Sequence, residues 1–330
     1  MLNVPMDVLE RFPVRKSRKQ KKAFLGAVRS YAESLGYTVT EEKGSLGARN
    51  LIIGNPDRAK YLITAHYDTC ARLPFPNLIT PCNLWAYIGY QLVLTVLIIV
   101  CSLSVGIVLC LLKTFIMGGY VTVSTLLDGL PTVAGLSMWL VLFLMLAGPA
   151  NPSNANDNTS GVVALLEMAR SFPENHRDKV CFVLFDLEEA GLIGSASYRK
   201  KHRKTTERQI VLNLDCVGDG DHILLFPTKK LRKDIKRLAP LYHCCGYFGS
   251  KSVLVRDKGF YVYPSDQMNF PYGVGIAAFH KGKTGLYLSR IHTPRDSVLD
   301  QTNINILRAG ILSMIARDKE DERIIENETV

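Results

Sequence analysis

From Leu73 to Leu112 the chain carries no formal charge, and no other feature limits its fold so sharply. Within this run, LWAYIGYQLVLTVLIIVCSLSVGIVLCLL (84–112) exceeds the roughly 20 apolar residues that a helix needs to cross a bilayer. A second uncharged run follows Asp128, and its TVAGLSMWLVLFLMLAG (132–148) lies near the lower length limit for a span. Together the two runs predict an inserted transmembrane hairpin of two helices at residues 81–149. A buried helix pair or a re-entrant segment is the alternative, because the second run is short and opens on DGLP. Two spans return the chain to its starting side. Residues 1–80 and 150–330 would then share one compartment and form a single discontinuous domain, with Lys113 and Asp128 marking the far loop.

Charge sets the expected orientation. The near side carries Arg72 and the basic run RKSRKQKK (15–22), whereas the far loop offers one lysine. The positive-inside tendency therefore places the main domain in the cytoplasm, on a membrane protein with two spans. No apolar stretch precedes the charges of MLNVPMDVLERFPVRKSRKQKK, so no secretory signal peptide is expected. The eight cysteines (70, 82, 101, 110, 181, 216, 244 and 245) match neither a short secreted disulfide framework nor paired zinc knuckles, and read as reduced thiols. A net charge of +10 raises nucleic acid as a partner. The basic run lacks interleaved aromatics, however, and leads into the amphipathic KKAFLGAVRSYAESLGY. A solvated helix start or contact with an anionic membrane surface remains; the lipid bilayer is the expected partner and nucleic acid is not.

Outside the hairpin, apolar strand-like runs alternate with helical patterns, which predicts an α/β fold: a mostly parallel central sheet flanked by helices. The predicted strands are 50–54, 61–65, 180–185, 210–214 and 275–279. The predicted helices are 18–35, 159–171, 194–203, 229–241 and 302–317, and the charged end RDKEDERIIENETV is expected to fray.

Several of these strands end in residue types that bind metals or move protons. YLITAHYDT ends in His66 and Asp68, IVLNLDCVG in Asp215, and VCFVLFDLEE in Asp186, Glu188 and Glu189. Open α/β sheets place their sites beyond the carboxyl ends of strands. Carboxylates crowded there repel one another unless a cation sits among them. Two histidines with several carboxylates suit zinc. His292, in RIHTPRDS, can supply the second imidazole. Asp157, in a polar loop that opens a helix, has two oxygens with which to bridge two metals. His66 and Asp68 lie two apart, so on extended backbone they share a face and the carboxylate can orient the imidazole. Taken singly each signal is weak: Asp157 reads as a helix cap and the glutamate pair as a solvated turn. Their joint placement at successive element ends gives them weight.

HYDT, NDNTSG, EEAGLIGS, LDCVG and HTPRDS, in that order, resemble the signature of the co-catalytic di-zinc aminopeptidases of the leucyl aminopeptidase type, to which glutaminyl cyclases and glutamate carboxypeptidases are distantly related. The resemblance covers roughly residues 20–80 and 150–318 and leaves out the hairpin. It implies a zinc-exopeptidase-like fold with two Zn2+ ions and a peptide substrate. His66 and Asp215 would hold one zinc, Glu189 and His292 the other, and Asp157 would bridge them. Glu188 would be the general base and Asp68 the catalytic partner of His66. The implied activity is that of a membrane-anchored metallopeptidase releasing N-terminal amino acids through a hydroxide that bridges the two metals. A catalytically silent membrane receptor or scaffold that keeps the fold is the alternative. Gln267 departs from a histidine often found in the family, so Ser265, Asp266 and Gln267 are either substrate-lining or a helix start. Cys70 reads as a packed thiol, and YHCCG (242–246) as a helix end. The sequon at Asn158, beside Asp157, would block the site if glycosylated, which disfavours an exported domain.

Overall fold

The computed structural model describes residues 2–328 apart from 74, 76, 117 and 119–122. After a short helix α1 (Asp7–Arg11), helix α2 (Arg18–Ser34) opens on a capping box in which Ser17 and Gln20 satisfy each other's backbone N–H groups. Strands β1 (Val39–Lys43), β2 (Arg49–Ile53) and β3 (Tyr61–His66) lead to the hairpin helices α3 (Leu84–Ile116) and α4 (Val123–Ala147). The chain returns through α5 (Gly161–Ser171), β4 (Val180–Phe185), α6 (Ile193–Lys201), β5 (Ile210–Leu214) and β6 (His222–Pro227). It ends through β7 (Gly246–Phe248), β8 (Lys251–Val255), β9 (Gly273–Gly282), β10 (Gly285–Tyr287) and a C-terminal helix (Gln301–Glu328).

The strands form one sheet in the order β1-β2-β4-β3-β5-β9-β6-β8-β7, with β10 on β9. Four central strands, β4-β3-β5-β9, run parallel, but β2 on one side and β6 on the other pair antiparallel. The sheet is therefore mixed rather than mostly parallel. Apolar content marks a strand but not its direction, so the antiparallel pairing of β2 and β6 escapes a periodicity reading, while β1 (VTEEK) is too polar, and β7 and β10, of three residues each, too short, to register as strands. The central strands do carry one because both of their faces are buried. On β4, Val180, Phe182 and Leu184 join the core beneath α2, α5 and the C-terminal helix. Cys181, Val183 and Phe185 join the opposite core with Tyr198 and Phe270. Segment 229–241, expected as one helix, is broken into Lys229–Arg232 and Ile235–Leu238 followed by a 3-10 turn. The C-terminal helix backbone, conversely, continues to Glu328 instead of fraying at 317.

The hairpin leaves and re-enters the domain at one point. Ala71 bridges Ala150, and the Arg72 N–H donates to the Pro149 carbonyl at 2.8 Å. Among the described residues, α3 is the one helix long and apolar enough to cross a membrane, while the apolar part of α4, Pro131–Ala147, is shorter. Helix α4 begins at Val123 and runs through Pro131, so DGLP does not start it, and Lys113 and Asp128 lie on helical backbone rather than in the loop. The two helices pack along each other. Between them they leave Leu92, Val93, Val96, Leu97, Leu140 and Phe143 exposed, more apolar surface than monomeric soluble proteins commonly show.

Candidate metal centre

The carboxyl ends of the parallel strands and two loops carry the polar residues to one place. β3 ends in His66, β4 runs into Glu188 and Glu189, and β5 runs into Asp215. The turn before α5 carries Asp157, and the loop after β10 carries His292. His66 Nε2 lies 3.3 Å from Asp157 Oδ1 and 3.7 Å from Asp215 Oδ1. His292 Nε2 lies 3.0 Å from Asp157 Oδ2 and 3.3 Å from Glu189 Oε2. The two oxygens of Asp157 thus face two separate imidazole–carboxylate groups. One donor atom from each of His66, Asp157 and Asp215 falls within 4.8 Å of the others, and the same holds for His66, Glu188 and Glu189.

Backbone geometry aims these groups. Leu187, Cys216 and His292 all adopt left-handed φ values of 55°, 58° and 60°, uncommon for residues with a side chain. Each lies at or beside one of the cluster residues, which is where strained backbone tends to collect. The Asp157–Asn158 peptide is cis. Asn158 pins this turn to the sheet: its amide donates to the Leu214 carbonyl at 2.9 Å, and its oxygen accepts from Gly161 N–H at 3.0 Å. A Cβ on Gly161 would stand 2.3 Å from the Leu214 oxygen, so only glycine permits this approach.

A further layer holds the cluster, and sequence reasoning reached only part of it. His66 Nδ1 meets the Asp68 backbone carbonyl at 3.1 Å and its carboxylate at 3.6 Å, and that carboxylate accepts from the backbone N–H groups of Glu188 and Glu189 at 3.1 and 3.3 Å. Asp68 therefore meets the imidazole through its main chain and the glutamate loop through its carboxylate. Asp296 accepts from Asn156 and Asp157 N–H at 2.8 and 3.0 Å; it stands inside the quoted HTPRDS, yet nothing local gave it a role. Asp186 is neutralised by Lys21 at 2.5 Å. Arg15 corrects the reading of the basic run most plainly. It is wholly buried rather than solvated, donates to the Tyr67 and Phe12 carbonyls and to Thr159, and sits as a cation behind Asp68 and Asp157. Burial lowers its pKa to about 10 while those two carboxylates oppose the fall.

Other residues fall differently. Gln267 is buried, bonded to the Tyr263 carbonyl at 2.7 Å and to Asn213. Asp266 opens a 3-10 turn and accepts from Ser195 at 2.5 Å, while burial pushes its carboxyl up to about 7. These side chains support the sheet floor. Cys70 is buried, and burial pushes its thiol far up. Its Sγ nevertheless lies with the donor atoms of Glu189 and His292 inside the same 4.8 Å limit.

The donor set fits divalent zinc ions. Burial opposes a charge on either imidazole, yet the surrounding carboxylates outweigh it, raising His292 to about 9 and His66 well above its ordinary value. Burial raises Glu189 to about 8, and its Oε1 is buried with no hydrogen-bond partner. So many buried carboxylates call for compensating positive charge, and the orphaned Glu189 oxygen is one that a cation would satisfy.

A mixed α/β sheet with an imidazole–carboxylate cup at its strand ends defines the zinc-exopeptidase architecture. The profile of Peptidase family M28 matches residues 121–314, and the chain belongs to that family. Over 73 residues it is 40% identical to aminopeptidase YwaD of Bacillus subtilis, a segment that covers 21% of this chain and 16% of that protein. Its fold is similar to that of the LapA aminopeptidase of Legionella pneumophila (TM-score 0.53, 13% identity, 95% of this chain and 70% of that one). It is similar also to the glutaminyl cyclase of Porphyromonas gingivalis (0.55, 16%, 96% and 98%). A leucine aminopeptidase precursor of Bacteroides thetaiotaomicron gives 0.53 at 16%, covering 92% of each chain.

Proposed function

We propose that this chain is a membrane-anchored zinc metallopeptidase that releases N-terminal amino acids from peptides. The observation that carries the reading is the placement of Asp157, whose two oxygens face His66 with Asp215 on one side and His292 with Glu189 on the other. These five residues would hold two zinc ions, with Asp157 shared between them. Bound zinc would supply a Lewis acid for a peptide carbonyl and a water made acidic enough to attack at neutral pH. Glu188, at the cleft beside His66 and Glu189, would take a proton from the attacking water and return it to the departing amine. Asp68 acts through its neighbours, holding the His66 ring and the Glu188–Glu189 backbone in register. The names of the relatives favour aminopeptidase action over the other reactions of this fold.

The test is digestion of a peptide library by the full chain with zinc analysis of the same sample. Loss of single N-terminal residues together with two zinc equivalents per chain is expected. Tight zinc binding without cleavage of any peptide would favour a silent receptor or scaffold. Asp68→Asn is expected to lower zinc affinity about 10- to 100-fold, because an amide can accept only through one atom where Asp68 uses two. Zinc titration by competition with a chelating dye reads it, and unchanged affinity would remove Asp68 from this role.

Residues 1–80 and 150–330 are read as one cytoplasmic domain, with 81–149 as an inserted anchor of two spans. The basic N-terminal run supports this orientation, since Lys16 Nζ donates to the Leu146 carbonyl at 2.8 Å, at the end of α4 nearest the domain. Leu97, 43% exposed on α3, should face lipid. Leu97→Arg is expected to disfavour insertion by ~2.5–3.5 kcal/mol, read as the fraction of chain extracted by carbonate from membranes. No change in extraction would place this face away from lipid.

A further inference from the structure

Helix α3 is longer than a membrane requires, and its first turn reaches the metal centre. Its 33 residues rise roughly 50 Å, against a hydrocarbon core of about 30 Å. The first turns therefore have length to spare for the domain. Tyr87 lines the cleft that contains His66, Glu188, Glu189 and His292. Gln91 and Leu94 line a second cavity, of about 240 Å3, together with Met145 and Leu146 at the end of α4. Asn77, Glu189 and His292 belong to the walls of both cavities, so the second opens directly off the metal centre. Positions 87, 91 and 94 are spaced i, i+4, i+7 and form one helical face, while Val93 is 64% exposed outside it. A polar residue such as Gln91 in an otherwise apolar helix is costly in lipid and marks a face turned to a cavity.

We propose that this second cavity receives the side chain of the substrate's N-terminal residue, so that the inserted hairpin, beyond anchoring the chain, sets selectivity for apolar N-termini. The inference rests on the peptidase reading above and deepens it. Leu73, Leu94, Met145 and Leu146 form an apolar wall opposite Glu189 and His292. No lysine or arginine lines the cavity among the described residues, so its wall offers an acidic substrate side chain no basic partner. Met145, unbranched and polarisable, lets the wall adapt to branched or aromatic groups. Because the wall is made by the domain-proximal ends of both hairpin helices, the favoured substrates are peptides whose apolar termini lie at the membrane surface.

The test uses the full zinc-loaded chain in lipid nanodiscs and a set of short peptides that differ only in the N-terminal residue. Leu94→Trp and Met145→Trp fill the cavity and should lower the ratio of kcat/KM for Leu over Ala termini by at least about tenfold. Leu94→Ala should move preference toward larger residues, and Val93→Trp, on the exposed face, should leave the ratio within about twofold. An unchanged ratio in both cavity-filling variants, or an equal change in Val93→Trp, would overturn the proposal. A second readout does not need turnover: a peptide with an N-terminal photoreactive leucine is crosslinked to the Glu188→Gln variant and the adducts are mapped by mass spectrometry. Adducts on 84–97 or 141–148 support the hairpin wall. Adducts confined to the apolar cavity around Phe226, Tyr261 and Met268 would assign the side chain elsewhere. If the unaltered chain releases no residue from any peptide, the peptidase reading fails while the crosslinks still report what the cavity accepts.

Discussion

Glu188→Gln is expected to lower kcat for N-terminal residue release by about 10^2- to 10^4-fold, the usual range for removing a general acid–base group, and to leave zinc content unchanged. The exchange keeps the shape of the side chain and its backbone N–H bond to Asp68, so the loop geometry persists. What is lost is a carboxyl that can change protonation. Burial and the nearby Glu189, Asp215 and Asp266 carboxylates push Glu188 well above the ordinary carboxylate range, against the opposing pull of His66. A carboxyl whose surroundings favour its protonated form is suited to accept a proton and pass it on. Turnover kinetics and metal analysis on one preparation decide it: zinc loss equal to that of Glu189→Gln would move Glu188 from proton transfer to metal binding.

Asp157→Asn is expected to remove about one zinc equivalent and to lower kcat/KM roughly 10^3-fold, close to 4 kcal/mol of transition-state stabilisation. The two carboxylate oxygens serve different partners, Oδ1 toward His66 and Oδ2 toward His292. An amide offers one acceptor and turns an NH2 toward the other imidazole, so one half of the cup loses its ligand and gains a repulsive donor. The turn itself stays in place, because Asp296 and Asn158 hold its backbone. Retention of two zinc equivalents with near-normal kcat/KM would show that Asp157 does not bridge.

Legibility differed between layers of the site for a physical reason. The central strands were readable because burial on both faces demands uninterrupted apolar runs, and VCFVLF and YLITA are such runs. The polar residues that follow them stand out because a buried strand has no reason of its own to end in charge. Arg15 had no such contrast. It begins a run of lysines and arginines that are mostly at the surface, and it is buried only because the chain folds its backbone against Thr69 and its guanidinium against the Tyr67 carbonyl. Asp296 is similar: its acceptors' partners are backbone N–H groups about 140 residues earlier, which no local pattern encodes.

By itself, then, the sequence determined the apolar central strands, the chemistry of the groups at their ends, and an insertion too apolar for water, because each follows from local composition and period. The tertiary structure alone decided the antiparallel flanks, the burial of Arg15, the clamping role of Asp296, and the placement of Tyr87 at the cleft and of Gln91 and Leu94 in the cavity beside it. Those depend on which distant segments meet, and that is settled by closure of the whole chain around its two cores rather than by any stretch within it.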